Sequence, residues 1–522
     1  MASAAQIEGL PATKGRDLWK LGDAAVLLVY SCVVLWTVQY HEKWADEAQA
    51  WLIARDLDLK TIWFHELRYE GSPGLWHTIL WIAQHVFHAG YGALGYIGVA
   101  FAIAGAAVLI FCAPFPRYIR WPLAFTYVMV YQYAVIARPY TLLPLLAFCA
   151  AIFLKDTARP ERITLALFIM IMLTLHGAIL AACLGLAYLS EAAGSWRSLE
   201  DSIRRRYFIC ITILVLAFLF VAVILKPTPD VGEFAAKEQF NPPPGVVPYI
   251  PGIPEKAEAV FSGAFLDYIV PSILFVLLGA WWCYCRKCLL EFLGPILLLA
   301  GLYIFVHGYP HHHGTLFIAA VTAFWIGWPA GEEKRHPTVR DLWMERLIVA
   351  LLLVLCAVNI ADAAVVVRRE YLYPYSGGKD AADYLKAVGA DRTPMFGFLY
   401  GITAVQAYFD HNIVSNVHTA YFHHGIPREG IELDLQQLHA VNPEYIIAYS
   451  NEPHLLADYG VPMLVKEGYQ VVHFSDGYYL YKRAVYQRET YFIFRRVPGN
   501  SSLDKPDAGT PTWEIARSGT QP

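Results

Sequence analysis

The sequence predicts a polytopic α-helical membrane protein with a small α/β domain at its C-terminal end. Apolar residues make up 57% of the 522 residues, charged residues only 16%, and the apolar residues are clustered in runs. Several runs are close to the roughly 20 residues that cross about 30 Å of hydrocarbon. After Arg368 these runs stop and a mixed helix and strand pattern begins. The net charge of -4 is too small to indicate a nucleic-acid partner.

The distribution of lysine and arginine predicts the orientation, because short loops rich in these residues stay cytoplasmic. Such residues gather in alternate loops, and this favours a cytoplasmic N-terminus (residues 1–20) and an extracytoplasmic C-terminal part. We therefore expect a multi-pass protein of the inner or plasma membrane. The eleven predicted crossings lie near residues 21–40, 92–114, 121–138, 139–154, 162–176, 177–193, 207–226, 265–285, 288–307, 313–330 and 345–367.

The segment Gly74–His88 decides this count. It is apolar, but it is short and carries three histidines, and burying them in lipid would cost on the order of several kcal/mol. We interpret it as a helix in the outer interface, so that residues 41–91 form one external loop. A second external loop, residues 227–261, is rich in proline. Long loops of this kind are often lids, although a passive linker is the alternative.

The C-terminal part, residues 368–497, is predicted to be an extracytoplasmic α/β domain. Alternation and amphipathic patterns predict helices over Lys379–Val388 and Ile402–Phe409 and strands over Pro394–Phe398 and Tyr445–Tyr449. A further strand pair, 469–474 and 477–482, is predicted around a turn at Ser475 and Asp476. Residues 498–522 have the composition of a disordered tail.

None of the nine cysteines lies in the C-terminal part, so disulfides do not hold that part together. Cys283, Cys285 and Cys288 are spaced like metal ligands but have no fourth ligand nearby in the sequence. We interpret them as small apolar residues at a helix end, and no metal site is assigned.

The first external loop carries the candidate chemistry. Residues 41–56, HEKWADEAQAWLIARD, are predicted to form an interfacial helix with Trp44, Ala48, Trp51 and Leu52 on one face. Asp46 then lies on the opposite face, with Glu47 beside it. An acid pair at a membrane surface can be a reactive site, but taken alone it is equally a solvated polar face.

Three short motifs carry a resemblance to a known superfamily. They are WADEAQAW after the first span, YEGSPGLW at 69–76, and ARPY at 137–140. With the predicted topology, they resemble bacterial GT-C glycosyltransferases, which include protein O-mannosyltransferases, oligosaccharyltransferases and the aminoarabinose transferases of lipid A. The resemblance spans residues 21–367. The chain departs from the usual motif at Gly74, where a second proline is common, and at Ser72, where histidine is frequent.

The resemblance implies a GT-C fold and the transfer of a sugar, with inversion, from a polyprenyl-phosphate donor to an acceptor hydroxyl on a glycan, glycolipid or protein. Asp46 matches the presumed catalytic base, with Glu47 as its neighbour. Arg138 suits the donor phosphate, since a guanidinium binds phosphate through two bonds, although a snorkelling arginine is the alternative. The remaining candidates are Tyr140, His312 and His313 for the phosphate and His65, Glu70 and His176 for the substrate pocket. GT-C members differ in using a divalent cation, and the sequence leaves this open.

Two other classes fit a polytopic membrane protein. A lipid or solute transporter or flippase would be expected to place ionisable residues near the membrane midplane. In this sequence the charges in the spans lie near their ends, as at Asp23, Asp267, Glu291 and Asp362, which favours surface chemistry. A non-catalytic scaffold is the third class, and it would not depend on Asp46.

Overall fold

The computed structural model describes residues 12–226, 252–306, 308–329, 339–398, 400–423, 435–450 and 461–497. Over these residues the chain forms a large helical part followed by a small α/β unit around a four-stranded sheet. The predicted tail 498–522, residues 1–11 of the predicted cytoplasmic segment, and residues 227–251 of the predicted proline-rich loop lie outside the described residues. The end of that loop is helical, since a helix begins at Ile253.

The helical part contains α1 (Ala12–Thr37), α2 (Ala45–Asp56), α3 (Leu59–Thr61), a π-helical turn (Ile62–Glu66), α4 (Leu67–Glu70), α5 (Leu75–His85), α6 (Ala93–Cys112), α7 (Arg117–Ala124), a second π-helical turn (Val128–Gln132), a 3₁₀ helix (Pro139–Leu142), α8 (Leu143–Phe153), α9 (Pro160–Leu173), α10 (Leu175–Ser195), a 3₁₀ turn (Trp196–Ser198), α11 (Asp201–Ile224), α12 (Ile253–Ala264), α13 (Ile269–Cys285), α14 (Leu289–Phe305), a 3₁₀ turn (Pro310–His312), α15 (Gly314–Gly327) and α16 (Val339–Leu372).

Five helices of the described part are long and apolar enough to span a membrane: α1, α6, α10, α11 and α16. A sixth arises if α12 and α13, which are bent by 67° at their junction, form one broken span. Shorter apolar helices, 139–153 and α14, lie among them. The prediction of a polytopic helical membrane protein is therefore confirmed in kind, while the count of eleven crossings stays a prediction.

The predicted span 121–138 is not one continuous helix. Helix α7 ends at Ala124, a π-helical turn covers Val128–Gln132, and a new 3₁₀ helix begins at Pro139. Pro122 lacks a backbone N–H inside α7, and the Thr126 hydroxyl donates to the Leu123 carbonyl at 2.7 Å in place of a regular helical bond. Residues 127–137 are buried, which is where irregular backbone is tolerated in a membrane protein.

Residues 41–91, which were predicted to be one external loop, fold back so that two of their helices, α2 and α5, pack together. The predicted helix of residues 41–56 is present as α2, with Ala48, Trp51 and Leu52 buried as expected. Helix α5 lies within the segment predicted to be interfacial, and it packs against α2. The interpretation of the acid pair as a solvated face is wrong for Glu47, which is fully buried.

The C-terminal unit contains α17 (Gly378–Ala387), a 3₁₀ turn (Ala390–Arg392), β1 (Met395–Phe398), a 3₁₀ turn (Tyr400–Ile402), α18 (Thr403–Gln406), α19 (Leu435–Val441), β2 (Tyr445–Ser450), α20 (Val461–Lys466), β3 (Tyr469–Tyr481) and β4 (Ala484–Arg496). The sheet order is β1-β2-β4-β3, with β1 and β2 parallel and the other pairs antiparallel.

The predicted turn at Ser475 and Asp476 is wrong. Residues 469–481 form one strand, and the chain reverses at Lys482, which has a left-handed φ of 54°. Asp476 lies opposite Thr490 in the ladder, and its carboxylate accepts from the Thr490 hydroxyl at 2.5 Å. Ser-Asp is common in turns, because the Asp side chain can bond the local backbone. Here Asp476 pairs with a residue of the neighbouring strand instead, so the dipeptide does not mark a turn.

The α/β unit is joined to the helical part at two places. At the tip of the β3–β4 hairpin, Lys482 pairs with Asp267, and Arg483 donates to Asp362 at 2.6 Å. At the other place, the Gln49 side chain of α2 bonds both backbone groups of Phe422, at 2.5 and 3.1 Å. The unit therefore packs directly on the segment, residues 41–91, that carries Asp46.

Candidate functional site

Glu47 anchors the beginning of α2. Its Oε2 accepts from the Trp44 backbone N–H at 3.3 Å and bonds His41 Nε2 at 2.8 Å. Its Oε1 accepts from the Ala137 backbone N–H at 2.7 Å. Burial would raise the pKa of Glu47, but His41 and the Ala137 N–H outweigh burial and lower it. This carboxylate is ionised and enclosed, so it holds the site together and is poorly placed to act as a base.

His41 connects this anchor to the last long helix of the helical part. Its Nδ1 bonds Glu370 Oε1 at 2.8 Å, and Glu370 also accepts from the Tyr131 hydroxyl at 2.5 Å. Burial would lower the pKa of His41, but Glu47 and Glu370 outweigh burial and raise it to about 10. A protonated imidazole between two carboxylates therefore ties α2, the segment before Arg138, and α16 into one unit.

Asp46 and Arg138 form an ion pair beside this anchor. Arg138 Nη1 donates to Asp46 Oδ2, and the Arg138 and Asp46 side chains keep 20% and 17% of their surface exposed, respectively. Since Asp46 directly precedes Glu47 and Arg138 directly follows Ala137, the Glu47–Ala137 hydrogen bond sets the positions of both partners. The pair is therefore ordered by buried groups and still keeps part of its surface exposed.

Aromatic rings and histidines surround the guanidinium of Arg138. The carbon of the guanidinium lies 5.7 Å from the ring centre of Trp44 and 5.9 Å from that of Tyr140. Its Nη1 also donates to His311 Nε2 at 3.2 Å. The Tyr140 hydroxyl shares a hydrogen bond of 3.1 Å with His176 Nδ1. Of the candidates predicted from the sequence, Tyr140 therefore lies beside Arg138, and His176 bonds Tyr140.

The histidine run at 311–313 divides between two environments. The ring centres of His312 and His176 are 4.7 Å apart, and His312 Nδ1 accepts from the Tyr309 backbone N–H at 3.1 Å. His313 instead faces the C-terminal unit, where its Nδ1 lies 3.4 Å from the Tyr481 hydroxyl. His312 thus joins the group around Arg138, while His313 packs on the β3–β4 hairpin.

The remaining two predicted pocket residues lie in separate places. Glu70 accepts from Gln49 Nε2 at 2.9 Å. Gln49 lies on α2, one helical turn after Asp46. His65 is exposed on the π-helical turn, and among the described residues no hydrogen bond or ion pair links it to Asp46 or Arg138. We therefore keep Glu70 near the site and leave His65 outside it.

Sequence reasoning missed His41, Glu370, Tyr131 and the contact of His311 with Arg138. His311 was visible as part of a histidine run, but nothing in the pattern singles it out. The Glu370–His41 contact joins residues 329 positions apart, and no local motif signals such a pairing. The one usable signal was a histidine and three acids within seven residues at the start of a helix.

The acids of this region are not arranged to hold a divalent cation. Asp46 is paired with Arg138, and both oxygens of Glu47 are bonded to His41 and backbone N–H groups. In the part of the chain that the structure describes, no three histidine, cysteine, aspartate or glutamate side chains form a metal-binding group. We derive no step through a metal ion.

Comparison with known proteins gives one similar structure. No family model and no curated protein matches the chain. The chain is similar to the crystal structure of ArnT from Cupriavidus metallidurans bound to undecaprenyl phosphate, with a TM-score of 0.48 and 14% identity over 95% of this chain and 100% of that chain. Because the score is below 0.5 and the identity is low, the arguments that follow depend on the side chains described above.

Proposed function

We propose that this chain is a membrane glycosyltransferase of the GT-C kind, which moves a sugar from a polyprenyl-phosphate donor to an acceptor hydroxyl on the extracytoplasmic face. The observation that carries the proposal is the Asp46–Arg138 pair, which is largely enclosed, held by a buried carboxylate, and surrounded by hydrogen-bonding side chains. The motif resemblance at WADEAQAW, YEGSPGLW and ARPY supports the same reading. The basic-loop pattern supports the extracytoplasmic side.

In the proposed reaction, the acceptor hydroxyl attacks the anomeric carbon while its proton passes to the Asp46 carboxylate. A new carbon–oxygen bond forms, the bond from the anomeric carbon to the phosphate oxygen breaks, and its electron pair leaves with the polyprenyl phosphate. One displacement of this kind inverts the anomeric centre. A single displacement needs only one carboxylate at the reacting centre. Asp46 can supply it, since the neighbouring Glu47 is fully buried.

Arg138 is assigned to the leaving phosphate. A guanidinium offers several N–H donors in a plane, and a partly desolvated one stabilises developing negative charge more strongly than one in bulk water. Tyr140, His176, His311 and His312 lie close enough to the guanidinium or to each other to add hydrogen bonds on the same side. We assign them to the phosphate and to the sugar next to it.

The ion pair has a consequence for the order of events. An in-line displacement places the nucleophile and the leaving group on opposite sides of the anomeric carbon. Asp46 and Arg138 must therefore separate when the donor binds, and the phosphate replaces Asp46 as the partner of Arg138. Asp46 then becomes available for the acceptor hydroxyl, so we expect the donor to bind before the acceptor.

The proposal is tested with the purified protein and a panel of radiolabelled polyprenyl-phosphate sugars. Each donor is mixed with detergent-solubilised cell-envelope material as the source of glycan, glycolipid and protein acceptors. Label that moves from the carrier lipid into one acceptor fraction supports the proposal and identifies the acceptor class. If no donor in the panel binds or loses its label, the glycosyltransferase reading fails and a transporter or scaffold takes its place.

A further inference from the structure

A second polar cluster lies in the first external loop, one helical turn from Asp46. Gln49 Nε2 donates to Glu70 Oε1 at 2.9 Å, and His77 Nε2 lies 4.0 Å from Glu70 Oε2. His77 comes from α5 and has only 2% of its surface exposed. Gln49 is fixed from its other side by the backbone of Phe422, so its amide cannot swing away from Glu70. The three side chains therefore form an ordered polar patch.

His77 is the unusual member of this patch. Both ring nitrogens are buried, and neither has a hydrogen-bond partner among the residues that the structure describes. The distance of 4.0 Å to Glu70 is too long for a hydrogen bond. Burial lowers the pKa of His77 to about 4, so the ring is neutral and offers one donor and one acceptor. Buried polar atoms in proteins nearly always have partners, which points to a polar ligand beside this ring.

The patch is connected through the chain to both parts of the proposed active site, the base Asp46 and the phosphate-binding residues around Arg138. On one side it shares α2 with Asp46. On the other side the Ser72 hydroxyl contacts the Leu173 carbonyl at 3.4 Å, at the junction of α9 and α10. His176, which bonds Tyr140, follows three residues later. The patch therefore shares α2 with the proposed base, and the chain that follows Glu70 contacts the segment that carries His176.

We infer that Glu70 and His77 form a glycosyl-binding subsite that takes the ring hydroxyls of a pyranose. A carboxylate accepts from a hydroxyl, while a neutral imidazole can donate to one hydroxyl and accept from another. A phosphate does not suit the patch, because Glu70 would repel it. A cation does not suit it either, because the described residues supply no third ligand of the usual kinds. The subsite rests on the proposed function and adds to it the group that recognises the sugar.

The test compares binding of undecaprenyl phosphate without a sugar to binding of the same lipid carrying glucose, mannose, galactose or aminoarabinose, by calorimetry in detergent. His77→Phe keeps the ring shape and removes both nitrogens, and Glu70→Gln serves as a second variant. His85→Phe is the matched control, because His85 lies on the same helix, is exposed, and stacks on Trp81 at 4.4 Å. Saturation-transfer NMR with the corresponding methyl glycosides provides a second arm for the acceptor side.

We expect the preferred sugar to tighten binding of the lipid to the parental protein. In His77→Phe and Glu70→Gln we expect this gain to fall about tenfold, the equivalent of one lost hydrogen bond, with unchanged affinity for the sugar-free lipid. Loss of the methyl glycoside signal with an intact gain for the lipid-linked sugar would assign the subsite to the acceptor.

The inference is overturned if both variants keep the parental sugar gain and the parental NMR signal, or if the parental protein shows neither. His77 would then contact only a structural water. Failure of the parental protein to bind even the sugar-free lipid would instead count against the proposed function, and the NMR arm alone would then decide on the subsite.

Discussion

Asp46 and Arg138, which are 92 positions apart in the sequence, meet as an ion pair whose two ends are set by one buried hydrogen bond between Glu47 and Ala137. The pair combines two properties that a solvated surface pair lacks. Its side chains are largely enclosed, so their interaction is weakly screened, and a buried hydrogen bond fixes the two backbone segments that carry them. Both properties suit a site in which a carboxylate and a guanidinium act on the same substrate.

The first prediction concerns binding of the carrier lipid. Because Asp46 and the donor phosphate compete for Arg138, Asp46→Asn should tighten binding of undecaprenyl phosphate, on the order of threefold to tenfold. Arg138→Lys should weaken it about tenfold, since an ammonium cannot reproduce the planar grip of a guanidinium on phosphate. Calorimetric titration in detergent measures both. Unchanged affinity in Arg138→Lys would leave Arg138 as a snorkelling interface residue.

The second prediction concerns the buried His41 network and pH. The pKa of His41 is raised from 6.5 to about 10, so its contribution to stability is fully present below about pH 6.5 and is lost as the pH rises through about 10. The thermal midpoint of the protein in detergent should therefore decrease as the pH is raised from about 7 to about 10. In Glu370→Gln, which removes one of the two carboxylates on the ring, the fall should be smaller and should begin at lower pH.

The control for this experiment is Asp380→Asn, which removes the carboxylate of an exposed pair with His473 at 2.9 Å. Exposed pairs contribute about 0–1 kcal/mol, so this variant should follow the parental pH curve. If Glu370→Gln also follows the parental curve, the His41 network does not hold a proton across this range, and the anchoring role assigned to it fails.

The third prediction concerns topology. In a cysteine-free background, His65→Cys in the first external loop and Ala387→Cys in the C-terminal unit should react with an impermeant thiol reagent added from outside spheroplasts. Arg205→Cys, in a predicted cytoplasmic loop, should react only after the membrane is opened. All three positions are exposed in the structure. Labelling of Arg205→Cys in intact spheroplasts together with protection of His65→Cys would reverse the orientation.

The parts of this molecule that the sequence predicts well are those governed by local pattern. Continuous apolar runs predicted both ends of α6 and the C-terminal end of α11 to within about two residues. An amphipathic pattern predicted α2. The resemblance to superfamily motifs assigns Asp46 and Arg138 to one site, but it does not predict that they pair. Strand β2 was clear because residues 445–449 are aliphatic or aromatic, and the strand is buried on both faces.

The parts that the sequence does not reveal depend on contacts between distant segments. Asp46 and Glu47 look alike in the chain, and only the Ala137 N–H and His41 distinguish them. The break within residues 121–138 depends on burial of the freed backbone groups, which an apolar run does not report. The hairpin turn at Lys482 was missed because its stabilising partner, Asp267, comes from a helix junction more than two hundred residues earlier, at a separation of 215.

The central claim is that Asp46 is the base of a sugar-transfer reaction, and the most direct test is the transfer rate of Asp46→Asn. The substitution keeps the shape of the side chain and removes its ability to accept a proton. We expect the transfer rate to fall about 10²- to 10⁴-fold while carrier binding is retained. The free energy of unfolding should change by only about 1–2 kcal/mol. Asp56→Asn is the matched control, because Asp56 is on the same helix and bonds only the neighbouring Arg55 among the described contacts.

The measurement follows the release of radiolabelled sugar from the preferred polyprenyl-phosphate donor to the acceptor, at saturating donor, for the parental protein, Asp46→Asn, Asp56→Asn and Glu47→Gln. We expect Asp46→Asn to lose nearly all sugar transfer and Asp56→Asn to transfer at the parental rate. In Glu47→Gln we expect slower transfer together with a lower thermal midpoint, since Glu47 anchors the site. Transfer by Asp46→Asn at the parental rate would contradict the account.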